Sequence, residues 1–185
     1  MAMLPRNILL SLLAKLSKSV LLWNVIDEDG TQLYSPRETI LERGGEIYIA
    51  VKGAKVVGTC ALIRLSPSIF EVAKLTVSRE MQGKGLGRRL TYFAIDRARV
   101  LGAARVGLLS STKLETALRL YESIGFKRKP LPADQPYITA DVYMELELDD
   151  NVAYTVGTKL GEGWYLSSHT TEISLDIEGR GIGSV

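Results

Sequence analysis

The 185-residue sequence is poorest in cysteine and histidine, with one residue of each. A single cysteine, Cys60, excludes an internal disulfide framework and favours a reducing, cytoplasmic compartment. One histidine and one cysteine are too few for a tetrahedral zinc site, so we expect no metal. His169 stands apart from every other catalytic signal, which argues against the triad of a serine or cysteine hydrolase.

Long apolar runs and a strong net charge are missing as well. No uninterrupted apolar run approaches the roughly 18 residues that span a bilayer, so we expect no membrane partner. The net charge of +2 is too small to argue for nucleic-acid binding. With 46% hydrophobic and 24% charged residues, the composition is that of one soluble globular domain.

The charge that is present is unevenly distributed. Residues 74–105 carry eight lysines and arginines against two acidic residues, whereas residues 149–185 carry two basic and six acidic residues. The middle of the chain therefore favours an anionic ligand, and the tail does not.

The central part of the chain alternates strand and helix patterns. Hydrophobic periodicity and turn residues predict the following elements. They are strands at Glu46–Lys52, Lys55–Leu65 and Glu71–Ser78, a helix at Gly85–Leu101, a strand at Arg105–Ser110, a helix at Leu114–Ile124 and a strand at Asp141–Leu148. The first two strands form a hairpin through Gly53 and Ala54. This order predicts a single α/β domain with a mixed β-sheet flanked by helices.

The two ends of the chain differ from this core. The apolar stripe at residues 4–19 favours an amphipathic helix over a signal peptide, because Lys15 and Lys18 interrupt it and no A-x-A site follows. The glycine-rich tail has strand patterns at residues 154–156, 164–166 and 173–177. It is either an extra hairpin, a disordered end or a remnant of an expression vector, since residues 177–180 read as a processing-protease site. We therefore divide the chain into an N-terminal segment, a core and a tail, at 1–44, 45–148 and 149–185.

The most informative segment is the glycine-rich stretch QGKGLG, from Gln82 to Gly87. It follows a strand and opens a helix, where N–H groups without intrahelical partners and the positive end of the helix dipole favour an anion. Lys84, Arg88 and Arg89 add positive charge, so a pyrophosphate suits the site. The dinucleotide fingerprint does not fit the spacing of these glycines, and the P-loop needs a Gly-Lys-Ser or Gly-Lys-Thr that the chain lacks.

This stretch resembles the signature Q/R-x-x-G-x-G/A of the GNAT superfamily of acetyl-CoA-dependent N-acetyltransferases. Downstream, ALRLYESIGF at residues 117–126 is similar to the end of a helix in that family. The hairpin and the closing strand ADVYMELEL also fit, so the resemblance covers roughly residues 45–148. It implies a GNAT-like acyl-CoA N-acyltransferase fold, acetyl-CoA as co-substrate, and an amine acceptor that is a small molecule or a peptide.

The resemblance also implies how CoA is held. In the family, backbone N–H groups of the signature segment bind the CoA pyrophosphate. The corresponding residues here are Gln82, Gly83, Lys84, Gly85, Leu86, Gly87 and Arg88.

The strand before the signature is implied to hold the pantetheine arm. The backbone of Leu75, Thr76 and Val77 would run beside the arm like an added strand, admitted by a splay between this strand and the next. One N–H, of Leu75 or Thr76, would polarise the thioester carbonyl. Ser111 stands where many relatives carry Asn, and either hydrogen-bonds CoA or caps the following helix, with Thr112 as the alternative cap.

Two residues are candidates for the chemistry. Tyr121 stands where the family commonly has a tyrosine that gives a proton to the departing CoA thiolate; the alternative is a packing residue with its hydroxyl bonded to backbone. Glu71 lies eleven residues before Gln82, the spacing at which the histone-acetylating branch places its base. The alternative for Glu71 is a solvated residue at a strand edge. Cys60 is expected to be a buried packing residue rather than a nucleophile.

Two other functions remain open at this stage. A non-catalytic module that binds or senses acyl-CoA is the main alternative, because the N-terminal segment departs from the family pattern. Nucleic-acid binding through Arg97, Arg99 and Arg105 is a weaker one. A second copy of the chain, in a homodimer, is a further candidate partner.

Overall fold

The computed structural model describes residues 35–52, 55–133, 139–148 and 164–168. Within these ranges the chain forms seven strands and two longer helices. The elements are β1 (Glu46–Lys52), β2 (Lys55–Ser66), β3 (Ile69–Val77), α1 (Leu86–Val100), β4 (Arg105–Ser110), α2 (Glu115–Ile124), β5 (Lys127–Lys129), β6 (Val142–Glu147) and β7 (Trp164–Ser168). A short π-helical turn at Arg37–Leu41 precedes β1, and a 3₁₀ turn at Arg79–Met81 precedes α1.

The strands form one mixed sheet in the order β5-β6-β4-β3-β2-β1-β7. Only β3 and β4 pair in parallel; the other described pairs are antiparallel. A parallel pair needs a crossover connection, and α1 supplies it between β3 and β4. The predicted mixed sheet flanked by helices is confirmed.

Most predicted elements agree with the structure to within two residues at each end. The exposed strand β5 and the two short turns were not predicted. A strand is present at Trp164–Ser168, where residues 164–166 were predicted to be extended, and it pairs with β1. The predicted N-terminal helix, the Gly53-Ala54 turn, the other two tail strands and His169 lie outside the described residues.

Both helices pack on the same face of the sheet. On α1 the buried positions include Leu90, Ala94, Ile95 and Ala98, each 0% exposed. The helix approaches the sheet closely at Gly58, where a Cβ would lie 3.0 Å from Leu90 Cδ1. The absence of a side chain on β2 therefore lets the first turns of α1 sit directly on the strand.

The opposite face of the sheet carries a smaller apolar cluster. Ile40 of the π-helical turn packs there with Ile47, Ala61, Ile63 and Ala73. This face is free of α1 and α2, so polar side chains on it are separated from the main core by the thickness of the sheet.

A buried ion pair fixes the far end of α1 to β1. Arg97 donates from Nε and Nη2 to the two carboxylate oxygens of Glu46, at 2.9 and 2.5 Å. The hydroxyl of Tyr48 donates to the same carboxylate. The Tyr48 ring also meets Phe93 edge to face, with centroids 4.9 Å apart. Charge, hydrogen bonding and ring packing thus position α1 on the sheet.

Candidate active site

The sheet opens between its two parallel strands. β3 and β4 pair only at Ile69–Arg105, Phe70–Val106 and Glu71–Gly107. Beyond this point β3 continues to Val77 paired with β2, and β4 continues to Ser110 paired with β6. The two strands therefore diverge toward their carboxyl ends and leave a wedge-shaped gap, which we call the splay.

A β-bulge bends β3 at the level of the splay. The pairing shifts between Thr59–Thr76 and Ala61–Ala73, so that Lys74 and Leu75 face the single residue Cys60. Lys74 has a positive φ of 52°, a left-handed conformation that a non-glycine residue rarely adopts. Thr59 supports it by donating from Oγ1 to Lys74 O at 3.1 Å. Bulges of this kind redirect a strand, and here the bulge turns the β3 backbone at the gap.

The bulged strand presents N–H groups to the splay. Ser78 donates its N–H to Val57 O on β2 at 2.8 Å. Because alternate residues of an antiparallel strand face opposite sides, the N–H of Thr76 points toward β2, and those of Leu75 and Val77 point away from it. Of the two residues expected to polarise a carbonyl in the gap, Leu75 therefore fits this geometry and Thr76 does not.

The glycine-rich segment forms a tight loop between β3 and α1. Gly83 and Gly85 have φ values of +73° and +79°, and a Cβ at either position would meet nothing within 4 Å. The positive φ explains the glycines, and the open space leaves the loop accessible to a ligand. The first hydrogen bond that closes α1 runs from Arg89 N to Gly85 O, at 3.2 Å.

The N–H groups just before that bond have no partner along the helix. They belong to the residues at the helix start, Leu86, Gly87 and Arg88. They lie at the positive end of a 15-residue helix, which favours an anion. The predicted loop and helix N-terminus are thus present at the carboxyl end of β3, and binding of an anion there, in what we call the anion cradle, stays a prediction.

Side chains of the loop contribute in different ways. Gln82 is exposed and its amide donates to Val77 O at 3.4 Å, which ties the loop to the end of β3. Lys84 is exposed between the two left-handed glycines, whereas Leu86 is buried in the core beneath the loop. The loop is therefore anchored by one apolar side chain and presents charge outward.

The loop is also joined to α2. A Cβ on Gly87 would lie 3.5 Å from Leu120 Cδ2, so the start of α1 packs against the middle of α2. Arg88 Nη2 donates to Ser123 Oγ at 2.9 Å, and Ser123 Oγ donates to Leu120 O at 2.6 Å. The helix that carries Tyr121 is thus held directly beside the anion cradle.

Tyr121 lies in the core between α2 and the sheet, 8% exposed. Its ring packs edge to face on Phe126, with centroids 5.9 Å apart. Burial, and next the charge of Cys60, raise the pKa of Tyr121 well above its ordinary value. Tyr121 is therefore a core packing residue, as the alternative stated, but among the described residues no backbone group hydrogen-bonds its hydroxyl.

The raised pKa limits what this phenol can do. An unperturbed phenol already has a pKa near 10, above that of a thiol near 8.5, and burial widens the gap. Complete proton transfer from Tyr121 to a free thiolate is therefore uphill. The phenol can instead remain protonated and donate a hydrogen bond to a sulfur on which negative charge develops.

Cys60 is a buried thiol beside the bulge. It is 0% exposed, and burial raises its pKa to about 12. A thiol of this kind carries almost no thiolate at neutral pH and is a poor nucleophile. The expected packing role of Cys60 is confirmed.

Glu71 is buried at the closed end of the splay. It is 7% exposed and pairs with Ile63 on one side and Gly107 on the other. The alternative of a solvated strand-edge residue is therefore wrong. Glu71 and Ala73 lie on the same face of the sheet, the face that α1 and α2 do not cover.

Sequence reasoning missed a polar pair next to Glu71. Tyr143 donates from its hydroxyl to Glu145 Oε1 at 2.6 Å, and that hydroxyl lies 2.9 Å from where a Cβ of Gly107 would stand. Burial raises the pKa of Tyr143, and the hydrogen bond to Glu145 and the charges of Glu145 and Glu71 raise it further. The alternation in VYMELE could have placed Tyr143 and Glu145 on one face, but only the sheet order shows that Glu71 is near.

Ser111 lies at the end of β4 beside the splay, half-buried. The predicted cap is wrong for both Ser111 and Thr112, because α2 begins after Leu114 without a side-chain cap. Ser111 Oγ instead accepts from Lys113 N at 3.4 Å. Thr112 donates from N and Oγ1 to the carboxylate of Asp141, at 2.7 and 2.6 Å. These hydrogen bonds lower the pKa of Asp141 and hold the β4–α2 loop against the start of β6.

The arginines considered for nucleic acid are engaged within the protein. Arg97 bonds Glu46, Arg99 bonds Asp96 at 2.9 Å, and Arg105 lies 3.9 Å from Glu145. They do not form a free basic patch, and this alternative loses its basis. The described part of the chain contains no group of three His, Cys, Asp or Glu side chains that could hold a metal ion. Nor does any helix within it have the length and apolar character needed to cross a membrane.

Comparison with known proteins identifies the same segment. Residues 43–128 match the family model described as an acetyltransferase (GNAT) domain. An uncharacterized N-acetyltransferase of Bacillus subtilis, YvbK, is 32% identical over 94 residues, which are 51% of this chain and 60% of that protein. The match thus spans less than two thirds of this relative.

Solved structures show the same fold. An acetyltransferase of the GNAT family from Staphylococcus aureus has a TM-score of 0.70 at 19% identity, covering 80% of this chain and 98% of its own. A Bacillus subtilis acetyltransferase in complex with CoA has a TM-score of 0.56 at 26% identity, covering 74% of this chain and 93% of its own.

Proposed function

We propose that the chain is a member of the GNAT superfamily and that it is an N-acetyltransferase, which transfers acetyl from acetyl-CoA to a primary amine. The acceptor is a small molecule or a peptide, and the amine attacks directly in a ternary complex. The observation that carries the proposal is that two features are continuous: the splay between β3 and β4 opens toward the carboxyl end of β3, where the accessible loop at residues 82–88 begins.

The cradle holds the CoA pyrophosphate through main-chain N–H groups. The donors are the backbone groups from Gln82 to Arg88, and the open φ-positive glycines allow the phosphates to approach the backbone. The pantetheine arm then enters the splay and lies along Leu75–Val77, where the N–H groups of Leu75 and Val77 face the gap and suit an added strand. Ser111, on the other wall of the splay, is a further hydrogen-bonding partner for the arm.

The thioester carbonyl is placed at the bulge. The N–H of Leu75 donates to the carbonyl oxygen and stabilises the negative charge that develops there. The amine nitrogen forms a bond to the carbonyl carbon, and the C–S bond then breaks to give the amide and CoA. Tyr121 donates a hydrogen bond to the departing sulfur. The proton that the nitrogen loses after attack ends on the thiolate, and the proton removed before attack passes through Glu71 to water.

Glu71 is the base that first takes the amine proton. An alkylamine with a pKa near 10.4 is almost fully protonated at neutral pH and must lose a proton before it attacks. The buried carboxylate of Glu71 lies four residues before Leu75 on the same strand. A short water chain can join the two sites.

The compartment of the protein is a further part of the proposal. The buried thiol of Cys60 suits a reducing compartment, and we propose a cytoplasmic protein that meets acetyl-CoA there. We also propose that a second copy of the chain is a partner, in a homodimer.

The test is binding followed by turnover. Calorimetry with CoA is expected to show stoichiometric binding, and acetyl-CoA with a panel of spermidine, free lysine and short peptides is expected to release free thiol with at least one amine. The matched control is the same panel with the Tyr121→Phe variant. Binding without turnover on a broad panel would favour the sensing module, whereas no binding of CoA would overturn the proposal altogether.

A further inference from the structure

The hairpin of β1 and β2 touches the segment that leads into the glycine loop. Lys55, at the start of β2, donates from Nζ to Glu80 Oε2 at 2.7 Å. Both side chains are exposed, at 66% and 49%. The hydrogen bond from Lys55 and the charges of Lys55, Lys52 and Lys84 hold the pKa of Glu80 below its ordinary value. Lysines from the hairpin and from the loop therefore surround one carboxylate.

We call this region the hairpin–loop surface and define it as Lys52, Lys55, Arg79, Glu80 and Lys84. Three of its lysines act on its one carboxylate, Glu80: Lys55 through a hydrogen bond and its charge, and Lys52 and Lys84 through their charges. Since the residues come from the hairpin and from the segment 79–84, the surface adjoins the anion cradle directly.

On the opposite flank of the cradle, carboxylates pair with two arginines. On α2, Arg119 pairs with Glu115 at 3.2 Å. Arg128, just after the helix, pairs with Glu122 at 3.2 Å. Positive charge next to the cradle thus comes from lysines on the hairpin side and from Arg88 on the α2 side, where Arg88 bonds the neutral hydroxyl of Ser123.

We propose that the hairpin–loop surface binds the 3′-phosphate of CoA, with Lys55 and Lys84 as its ligands. The inference rests on the proposed function, because it assumes that the cradle holds the CoA pyrophosphate. That pyrophosphate is satisfied by main-chain N–H groups, so it does not need the lysines. The other phosphate of CoA is a monoester on the adjoining ribose, a few bonds away, and it carries about two negative charges at neutral pH.

Glu80 positions Lys55 rather than contacting the phosphate. The ammonium of a lysine is a compact point charge on a flexible stem, and it can turn from the carboxylate to an incoming dianion without moving the backbone. Because the surface is exposed, its contribution to binding weakens as salt rises.

The experiment compares CoA with 3′-dephospho-CoA by calorimetry. The unaltered protein is expected to bind CoA about tenfold more tightly than dephospho-CoA, as two exposed charge contacts would give. In the double variant Lys55→Gln and Lys84→Gln, the ratio of the two affinities is expected to fall to about twofold. The matched control removes two lysines from β5 at the other end of the sheet, Lys127→Gln and Lys129→Gln, and is expected to keep the full ratio.

Two results would overturn the inference. One is equal binding of both ligands by the unaltered protein. The other is a full ratio in the Lys55 and Lys84 double variant, above all if Arg88→Gln removes it, since the 3′-phosphate would then lie on the α2 side. Failure of both ligands to bind is a separate outcome, which overturns the proposed function itself. Thermal unfolding of each variant confirms that the protein remains folded.

Discussion

At the scale of single residues, the role proposed for the Tyr121 hydroxyl gives the most direct prediction about the reaction rate. It lies in a buried position with a raised pKa, and no described residue uses it as a hydrogen-bond partner. We expect Tyr121→Phe to lower kcat about tenfold to a hundredfold, because the departing thiolate loses its donor. The KM for acetyl-CoA should change little, and steady-state thiol release measures both.

The matched control for Tyr121 is Tyr92→Phe, on a half-buried tyrosine of α1. This variant also loses one hydroxyl but lies on the other helix, so its kcat should stay within about twofold of the unaltered enzyme. Equal losses of kcat in the two variants would show that removing a hydroxyl disturbs core packing in general, and that Tyr121 does not stabilise the leaving group.

A second prediction at this scale concerns Gly85, where two variants separate the effect of backbone strain on CoA binding from the effect of charge. It has a φ of +79° with open space around it, so Gly85→Ala costs only the left-handed strain of about 1 kcal/mol. Gly85→Glu introduces the same backbone strain and also places a carboxylate in the anion cradle. We expect the first variant to weaken CoA binding only modestly and the second to abolish it, as measured by calorimetry.

Gly102 provides the control for this pair. Its φ is +83° and its surroundings are equally open, but it lies at the far end of α1. Gly102→Glu should cost comparable stability in urea unfolding and leave CoA affinity unchanged. A loss of CoA binding in Gly102→Glu would mean that strain in the helix, rather than charge in the cradle, is responsible.

At the scale of elements, the pair between Arg97 and Glu46 decides how α1 lies on the sheet. The Glu46 carboxylate is 5% exposed, and Arg97→Met keeps the apolar stem while leaving that charge without its cation. We expect urea unfolding to show a loss of about 2 to 4 kcal/mol. The exposed pair of Arg119 and Glu115 is the comparison, where Arg119→Met should cost no more than about 0.5 kcal/mol. Similar small losses in both would mean that the buried pair is not what fixes the helix.

An element could be predicted from the sequence where residues close to each other in the chain determine it. The hairpin, the loop at Gly83 and Gly85, and the helix end at Gly125 follow from neighbouring residues, and all three regions were predicted. The strand β5, KRK, was missed because three charged residues carry no apolar alternation and are extended only by pairing with β6. Ser111 and Thr112 were predicted as caps, but Asp141, distant in sequence, takes the hydrogen bonds of Thr112.

The same distinction holds for the candidate site. The anion cradle is a property of one short segment, so its spacing was sufficient to predict it. The splay, the bulge at Lys74 and the nearness of Tyr143 to Glu71 depend on how strands far apart in sequence pair. Periodicity within a strand carries no information on those pairings. For this reason the sequence left Leu75 and Thr76 open as N–H donors, and the proposal of Leu75 depends on the strand pairing in the structure.

At the scale of the whole molecule, the splay is an interruption in the sheet that a ligand can repair. Strands β3 and β4 leave edge groups unpaired beyond Glu71 and Gly107, and bound CoA would supply partners for those on β3. At a hundred times its Kd, CoA should add about 2.7 kcal/mol to the free energy of unfolding. For a domain of this size, Tm should then rise by roughly 5 to 10 °C.

Hydrogen exchange with and without CoA locates this effect. The amides of Leu75 and Val77 should exchange more slowly in the complex, because their N–H groups face the gap, whereas that of Thr76 should change less, because it is already directed to β2. The paired amides between β1 and β2 are the internal reference. Uniform slowing across all strands would indicate that CoA stabilises the fold from the cradle alone, and the placement of the pantetheine arm in the splay would then be wrong.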